Sequence, residues 1–516
     1  NNLNLVFHIE TSREKMNKEE AAIPLLLTRR EEEEKEVNKN SNNNNNNNNG
    51  VVESALFWQE LKRVGSMAAP MVAVTVSQYL LQVVSMMMVG HLGVLVTFSG
   101  VAIATSFAEV TGFSILIGMA GALETLCGQT YGAEEFRSLG NYTCCAIGTL
   151  TLVCLPISLI WIFMDKILLL FGQDPAISLA AREYCICLIP ALYGYAVLQA
   201  MTRYFQTQSM IYPMVFSSVA ALCFHVPICW GLVFKFGLGH IGAAFAIAIS
   251  YWLNAIGLVV YMKCSSSCEK SKIVFSSNAL KCISEFLQYA IPSGLMFCFE
   301  WWSFELLTLF AGLLPNPQLE TSILSVCLNT TTLHFFIPYA IGASASTRVS
   351  NELGAGNPKA AKGIIRVIVT VAVTEAVIVS SFFICFRNVL GNAYSNDMQV
   401  IENVAKMAPL LCVSVIADSL IGVLSGVARG GGFQQIGAYV NLGAYYLVGA
   451  PIALFLGFGL KLNAKGLWMG TLSGSCLVVI ILAIVTALTD WEKEATKARE
   501  RIAENSIKGG DVSVSV

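Results

Sequence analysis

Residues 294–312 read GLMFCFEWWSFELLTLFAG, an apolar run interrupted by two carboxylates, Glu300 and Glu305. At 1.5 Å per residue, a helix of about 20 such residues crosses the ~30 Å hydrocarbon layer of a bilayer. A second run, MAPLLCVSVIADSLIGVLSGV at residues 407–427, carries Asp418 near its middle. A carboxylate facing lipid is costly, so each of these must face a partner or a water-filled cavity. The usual reason to keep one at bilayer depth is an ion or proton route.

The rest of the chain has the same character. Hydrophobic residues make up 55 % and charged residues 13 %, with a mean hydropathy of +0.62. An ordinary soluble domain carries roughly 25 % charged residues, so the composition is that of an integral membrane protein. The net charge of −2 gives no basis for a nucleic-acid partner. Most of the 16 cysteines, such as Cys144, Cys145, Cys154, Cys223 and Cys412, lie in apolar stretches where cysteine acts as a small hydrophobe, and they suggest neither a disulfide framework nor a zinc site. Cys264 and Cys268 fall in a connector expected in the cytosol, where thiols stay reduced.

Twelve apolar windows follow one another at residues 64–89, 98–122, 141–164, 178–198, 211–234, 239–262, 287–312, 324–345, 363–385, 407–428, 434–457 and 465–489. Basic residues favour both termini in the cytosol. Lys263, Lys270, Lys272 and Lys281 fall between windows 6 and 7, and Arg348, Lys359 and Lys362 between windows 8 and 9, with Arg366 in the first turn of window 9. Ahead of the first window, the charge run at 29–36 and the asparagine tract at 42–49 predict a disordered cytosolic tail over residues 1–55. Residues 21–27 are too short for a signal peptide, so window 1 is expected to serve as an uncleaved targeting signal. The sequence opens on Asn1 rather than Met, as in a truncated or processed chain.

The two halves repeat. Pro70 and VGHLG at 89–93 find counterparts 222 residues on, in Pro292 and AGLLP at 311–315. Gly118, Gly132 and Gly242 match Gly342, Gly356 and Gly466 at an offset of 224, while Arg203 and Gln208 match Arg429 and Gln434 at 226. Six windows per half is an even number, so both halves have the same orientation. The expected fold is an all-α polytopic membrane protein, with twelve transmembrane helices in two six-helix lobes related by a pseudo-two-fold axis along the membrane normal. The lobes are expected at 56–262 and 287–490, with a cytosolic connector at 263–286 and a cytosolic tail at 491–516.

Five motifs carry a family resemblance: VGHLG at 89–93, LETLCGQTYGA at 123–133, RYFQTQ at 203–208, EWWSFE at 300–305 and RVSNELGAG at 348–356. Together they resemble the multidrug and toxic compound extrusion family in its plant form, over roughly residues 56–490. The resemblance implies a transporter, not an enzyme, that exports small organic substrates in exchange for protons by alternating access. It is expected to act in the lipid bilayer of a plasma or vacuolar membrane, as a monomer and without a cofactor. Plant members place one carboxylate in helix 7 and one in helix 10, which here are Glu300 and Asp418. Counted along their helices, these lie ~10 and ~17 Å from the outer face, so they can meet inside the second lobe. Two carboxylates in a water-poor cavity resist being ionised together, which suits groups that load and release a proton. The alternative is a pair satisfied permanently by hydroxyl or backbone donors.

Other positions carry open readings. Glu305, rotated ~140° from Glu300 about the helix, is expected to be structural before it is coupling. Glu109 supplies either a charge that attracts cationic substrates or one half of an interhelical hydrogen bond. His225 is a proton acceptor or a satisfied core histidine. Glu375 is expected to pack at a helix interface. Glu124 and Arg348, at repeat-related positions, can pair as an inner gate, and Arg203 and Arg429 read as snorkelling anchors before gate residues. Pro70 and Pro292 each remove a helical hydrogen bond and provide bends. Phe297, Trp301, Trp302 and Tyr445 can line a pocket for flat aromatic substrates. No nucleophile with a base, metal-ligand cluster or phosphate loop stands out, and Gly430–Gly431–Gly432 lacks the lysine a P-loop needs. A sodium-coupled antiporter and a lipid flippase of similar shape remain the alternatives.

Overall fold

The computed structural model describes residues 47–273, 282–393 and 397–508. All twelve windows become helices. Spans 1–6 are Ala55–Gly90, Leu95–Gly132, Phe136–Ile162, Pro175–Thr207, Ile211–Lys235 and Gly239–Cys264, and spans 7–12 are Ile283–Ala311, Pro317–Gly354, Pro358–Cys385, Met398–Gly431, Gln434–Gly459 and Asn463–Leu488. Residues 1–46 of the tail expected over residues 1–55, together with Lys281 and the end of the chain beyond residue 508, lie outside the described residues. Helix already begins at Asn47, ahead of the boundary expected at residue 55. At the other end, the segment expected as a tail contains the helix Trp491–Lys508, with Trp491, Ala495, Ala498 and Ile502 buried.

Local chemistry sets several helix ends. Span 4 starts with Pro175 at its first position, and Asp174 Oδ1 accepts from the backbone N–H of Ala176 at 2.8 Å and of Ile177 at 3.1 Å. Spans 8 and 9 also begin on proline, at Pro317 and Pro358. Span 10 ends where Gly432 turns left-handed at φ 85°, a conformation that glycine adopts without strain.

Spans 2, 4 and 8 run well beyond their apolar windows towards the end of the molecule that carries the amino terminus, whereas span 10 extends mainly at the opposite end. Their polar extensions, such as Thr125–Gln129 and Ser344–Ser350, are largely buried against one another. Hydropathy measures fitness for lipid and so stops short of polar residues that bury one another. The outer surface instead exposes large apolar side chains such as Leu152, Leu159, Phe216, Phe224, Ile378, Phe382 and Leu447, as contact with hydrocarbon requires.

The repeat is visible atom by atom. In the first lobe Phe236 N–H donates to Gly231 O at 2.9 Å and Leu238 N–H to Leu232 O at 3.1 Å. In the second lobe, 224 residues on, Leu460 N–H donates to Phe455 O and Leu462 N–H to Leu456 O at the same two distances. Both sites close a π-helical turn, Gly231–Lys235 and Phe455–Gly459. Against these turns sit Gly242 and Gly466, where an added Cβ would come within 2.8 Å of Leu232 O and 2.6 Å of Leu456 O. Spans 1, 2, 7 and 8 form the interface between lobes, span 1 packing on span 8 and span 7 on span 2. Gly118 makes the second contact possible, since its Cβ would lie 2.9 Å from the Cα of Gly294.

Gly242→Leu and Gly466→Leu should each destabilise the protein by about 1–3 kcal/mol, because backbone, not a yielding side chain, blocks the added atoms. Gly148→Leu, where no atom lies within 4 Å of the added Cβ, should leave the detergent-solubilised melting midpoint unchanged. Equal midpoints for all three variants would contradict the packing.

Candidate functional site

A cavity of about 240 Å³ lies between the lobes at mid-depth. Span 1 contributes Thr75, Gln78, Tyr79 and Gln82, span 2 contributes Thr105, Glu109 and Ser114, and Tyr195 and Tyr251 come from spans 4 and 6. The second lobe supplies Phe297, Trp301, Trp302 and Glu305 from span 7 and Thr332, Phe335, Phe336 and Tyr339 from span 8. Rings dominate the walls, and one carboxylate from each lobe faces in. Three of the four aromatic residues expected at a pocket are here, whereas Tyr445 lines a separate crevice with Ser303 and Leu306.

Glu109 opens a π-helical turn, Glu109–Phe113. In that turn the Ser114 N–H reaches back to Glu109 O, which releases Val110 O from the α-helical ladder. Trp302 of the other lobe donates its indole N–H to Val110 O at 3.0 Å. Glu109 itself accepts from the amide of Gln82 on span 1, as its reading as one half of an interhelical hydrogen bond expects, and it also faces the cavity.

A second, smaller cavity of about 50 Å³ lies within the second lobe, lined by Glu300, Asp418, Phe304, Leu328 and Thr331. Space of this size holds a few waters. Trp301, Thr332 and Phe335 line both cavities and form the wall between them. Glu300 and Asp418 therefore share one chamber, within electrostatic range of each other and of Glu375. Glu305 turns away from that chamber into the inter-lobe cavity, as the helical rotation between the two residues requires.

The inter-lobe cavity is closed towards the amino-terminal end by an ion cluster. Glu124, with no exposed side-chain surface, sits 2.9 Å from Arg203 Nη1 of its own lobe and accepts from Arg429 Nε of the other at 2.7 Å. Arg203 also donates to Gln206 Oε1 at 2.6 Å and to the hydroxyl of Tyr339, a cavity-lining residue. Below the cluster, Thr125 donates to Arg429 O, and Gln129 Nε2 to Gly430 O at 3.1 Å. Spans 2 and 8 then meet backbone to backbone: an added Cβ on Gly132 would lie 1.9 Å from Asn351 O, and one on Gly354 2.0 Å from Gln129 O.

The expected Glu124–Arg348 gate is not formed. Arg348 instead donates to Glu60 of span 1 and Glu352 of its own helix, each at 3.1 Å. The two repeat-related arginines, read as snorkelling anchors, are the partners of Glu124, and Arg203 is only 3 % exposed. His225 is a core histidine: Ser85 Oγ lies 3.1 Å from Nε2 and Ser250 Oγ 2.8 Å from Nδ1, within a buried junction of spans 1, 5 and 6. It does not line either cavity. Pro70 and Pro292 lie inside spans 1 and 7 as expected. His334, which bonds Glu375, was not singled out by the sequence, although two ionisable residues in adjacent apolar windows were the available signal.

Two six-helix repeats facing one another across an aromatic cavity with inward carboxylates define a multi-pass membrane transporter. The MatE family model matches residues 70–230 and again 292–455, once in each lobe, and the chain belongs to that family of multidrug and toxic compound efflux transporters. It is 52 % identical over 450 residues to Protein DETOXIFICATION 9 of Arabidopsis thaliana, covering 87 % of this chain and 93 % of that relative. To Protein DETOXIFICATION 12 of the same plant it is 53 % identical over 447 residues, with the same coverage. The crystal structure of the eukaryotic MATE transporter AtDTX14 superposes with a TM-score of 0.84 at 51 % identity, covering 87 % of this chain and 100 % of that one. An outward-facing MATE family transporter shares the fold at 13 % identity, with a TM-score of 0.74 and coverage of 87 % and 97 %.

Glu124→Gln leaves two buried guanidinium groups without their anion and should cost about 3–5 kcal/mol. Glu60→Gln leaves Arg348 still paired with Glu352 and should cost less, about 1 kcal/mol. Melting midpoints measured under one heating protocol check this order, and a smaller loss for Glu124→Gln would contradict it.

Proposed function

We propose that this protein exports organic solutes in exchange for protons by alternating access, with Glu300 and Asp418 as the coupling pair. The observation that carries this is their shared chamber, separated from the inter-lobe cavity only by Trp301, Thr332 and Phe335. A proton gained or lost there acts one side chain away from the substrate space. Pro292 lies two turns before Glu300 on span 7, where a missing backbone bond lets the helix bend as the charge beside it changes.

With the amino terminus in the cytosol, the cluster of Glu124, Arg203 and Arg429 closes the cytosolic side. Arg429 also stands within electrostatic range of Glu300, so the proton state of the chamber bears on the arginine that holds the seal. The inter-lobe cavity suits flat organic molecules that stack on Phe297, Trp301 and Phe336, and Glu109 and Glu305 favour those carrying positive charge.

Glu300→Gln and Asp418→Asn remove a titratable charge at nearly constant volume. In oriented vesicles with an imposed pH gradient, each should reduce export of a labelled substrate to the level of protein-free vesicles, while yield and melting midpoint stay near those of the unsubstituted protein. A sodium gradient alone should drive no export. Pumping by the neutralised variants would refute the assignment, and pumping on sodium alone would replace the proton with that ion.

A further inference from the structure

A buried polar cluster lies where spans 8, 9 and 10 meet. His334, one turn along span 8 from the chamber residue Thr331, donates from Nε2 to Glu375 Oε1 on span 9 at 2.9 Å. Ser419, the residue after Asp418 on span 10, donates to the other carboxylate oxygen at 2.7 Å. The His334 side chain is 1 % exposed and that of Glu375 13 %.

Because Nε2 faces a carboxylate oxygen, it carries the ring proton, and Nδ1 is then a bare lone pair. Nδ1 is buried and has no hydrogen-bond partner. A buried acceptor without a donor is costly for packing alone. It is the right atom, however, for taking up a proton. When a proton binds Nδ1 and Glu375 stays ionised, the pair passes from a net charge of −1 to zero while both existing hydrogen bonds are kept. Pro338, four residues after His334, supplies no N–H to the His334 carbonyl, so span 8 is able to bend at this point.

We propose that His334 and Glu375 form a second proton-holding station of the second lobe and act as positioning residues for Asp418. The idea rests on Glu300 and Asp418 being the coupling pair. Charge on Glu375 is felt at Asp418, and Ser419, adjacent to Asp418 in the chain, bonds Glu375 directly and so ties the two sites together. The other titratable groups facing this region are Glu300 on span 7, with Tyr445 on span 11 and Cys476 on span 12 beyond Asp418. Span 1, packed on span 8, brings the phenol of Tyr79, which lies against the ring of Phe336 at 5.0 Å.

The sign of the effect follows from Coulomb's law. His334→Gln removes the group that can offset the charge of Glu375, so whenever Glu375 is ionised its full charge acts on Asp418, which then holds its proton to higher pH. Glu375→Gln removes that negative charge, so Asp418 releases its proton at lower pH. The external pH for half-maximal export should therefore move to the alkaline side in His334→Gln and to the acid side in Glu375→Gln. The two midpoints should differ by about one pH unit, the effect of a unit charge ~10 Å away at an effective dielectric of ~20. The double variant His334→Gln/Glu375→Gln should coincide with Glu375→Gln.

The measurement is the external-pH profile of export in oriented vesicles, with Asp418→Asn alongside. A purely structural role would lower folded yield or maximal rate and leave the midpoints together, so coincident midpoints, or the reverse order, overturn the proposal. Should a single variant fail to accumulate, the double variant decides alone: an acid shift supports the station and an unmoved midpoint overturns it. Loss of export in Asp418→Asn combined with unsplit midpoints would reject the station and keep the coupling pair. Export by Asp418→Asn would reject the coupling pair itself.

Discussion

A single carboxylate with no access to solvent joins the two halves of this molecule. Glu124 holds one arginine from each lobe, and burial is tolerable because the anion lies between two cations while Arg203 also bonds Gln206 and Tyr339; the cluster keeps a net charge of +1. The backbone contacts between spans 2 and 8 lie just beyond this cluster, and Tyr339 connects it to the floor of the inter-lobe cavity. Closure at the amino-terminal end is thus an electrostatic arrangement with two partners on one anion. Arg429 stands within reach of Glu300 as well, so the field at the seal depends on a group in the chamber of the second lobe.

Duplication supplied the scaffold, and departures from it supplied the chemistry. The matched turns at Gly231–Lys235 and Phe455–Gly459 show how closely the lobes copy each other where only packing is at stake. At the interface they differ in charge: position 124 is Glu in the first lobe, and its counterpart 348 is Arg in the second. Symmetric arginines can therefore converge on one asymmetric anion. The carboxylate chamber is likewise confined to the second lobe, because span 1 carries no acid at apolar depth where span 7 carries two.

Much of this was legible from residue types. Twelve windows, their order and the near-constant repeat offset are one-dimensional properties, fixed by the thickness of a bilayer and by duplication. Glu300 and Asp418 stood out because an acid in an apolar run has few places to go. The pairing of Glu124 was misread because repeat-related positions were matched with each other, although a pseudo-symmetric interface brings a residue to its non-equivalent neighbours. His225 and His334 look alike in sequence. One is enclosed by two hydroxyls and the other keeps an open ring nitrogen beside a carboxylate.

The sequence by itself therefore determined the membrane class, the number of spans, the duplicated halves and the acids that must be kept from lipid. Each of these follows from local composition and spacing. Only the tertiary structure decided which arginines grip Glu124, that Glu300 and Glu305 open into different cavities, and that His334 reaches Glu375. Those contacts join residues from 41 to 305 positions apart, and the choice of partner depends on the relative rotation and depth of packed helices. Hydrophobic periodicity within one helix carries no record of that rotation.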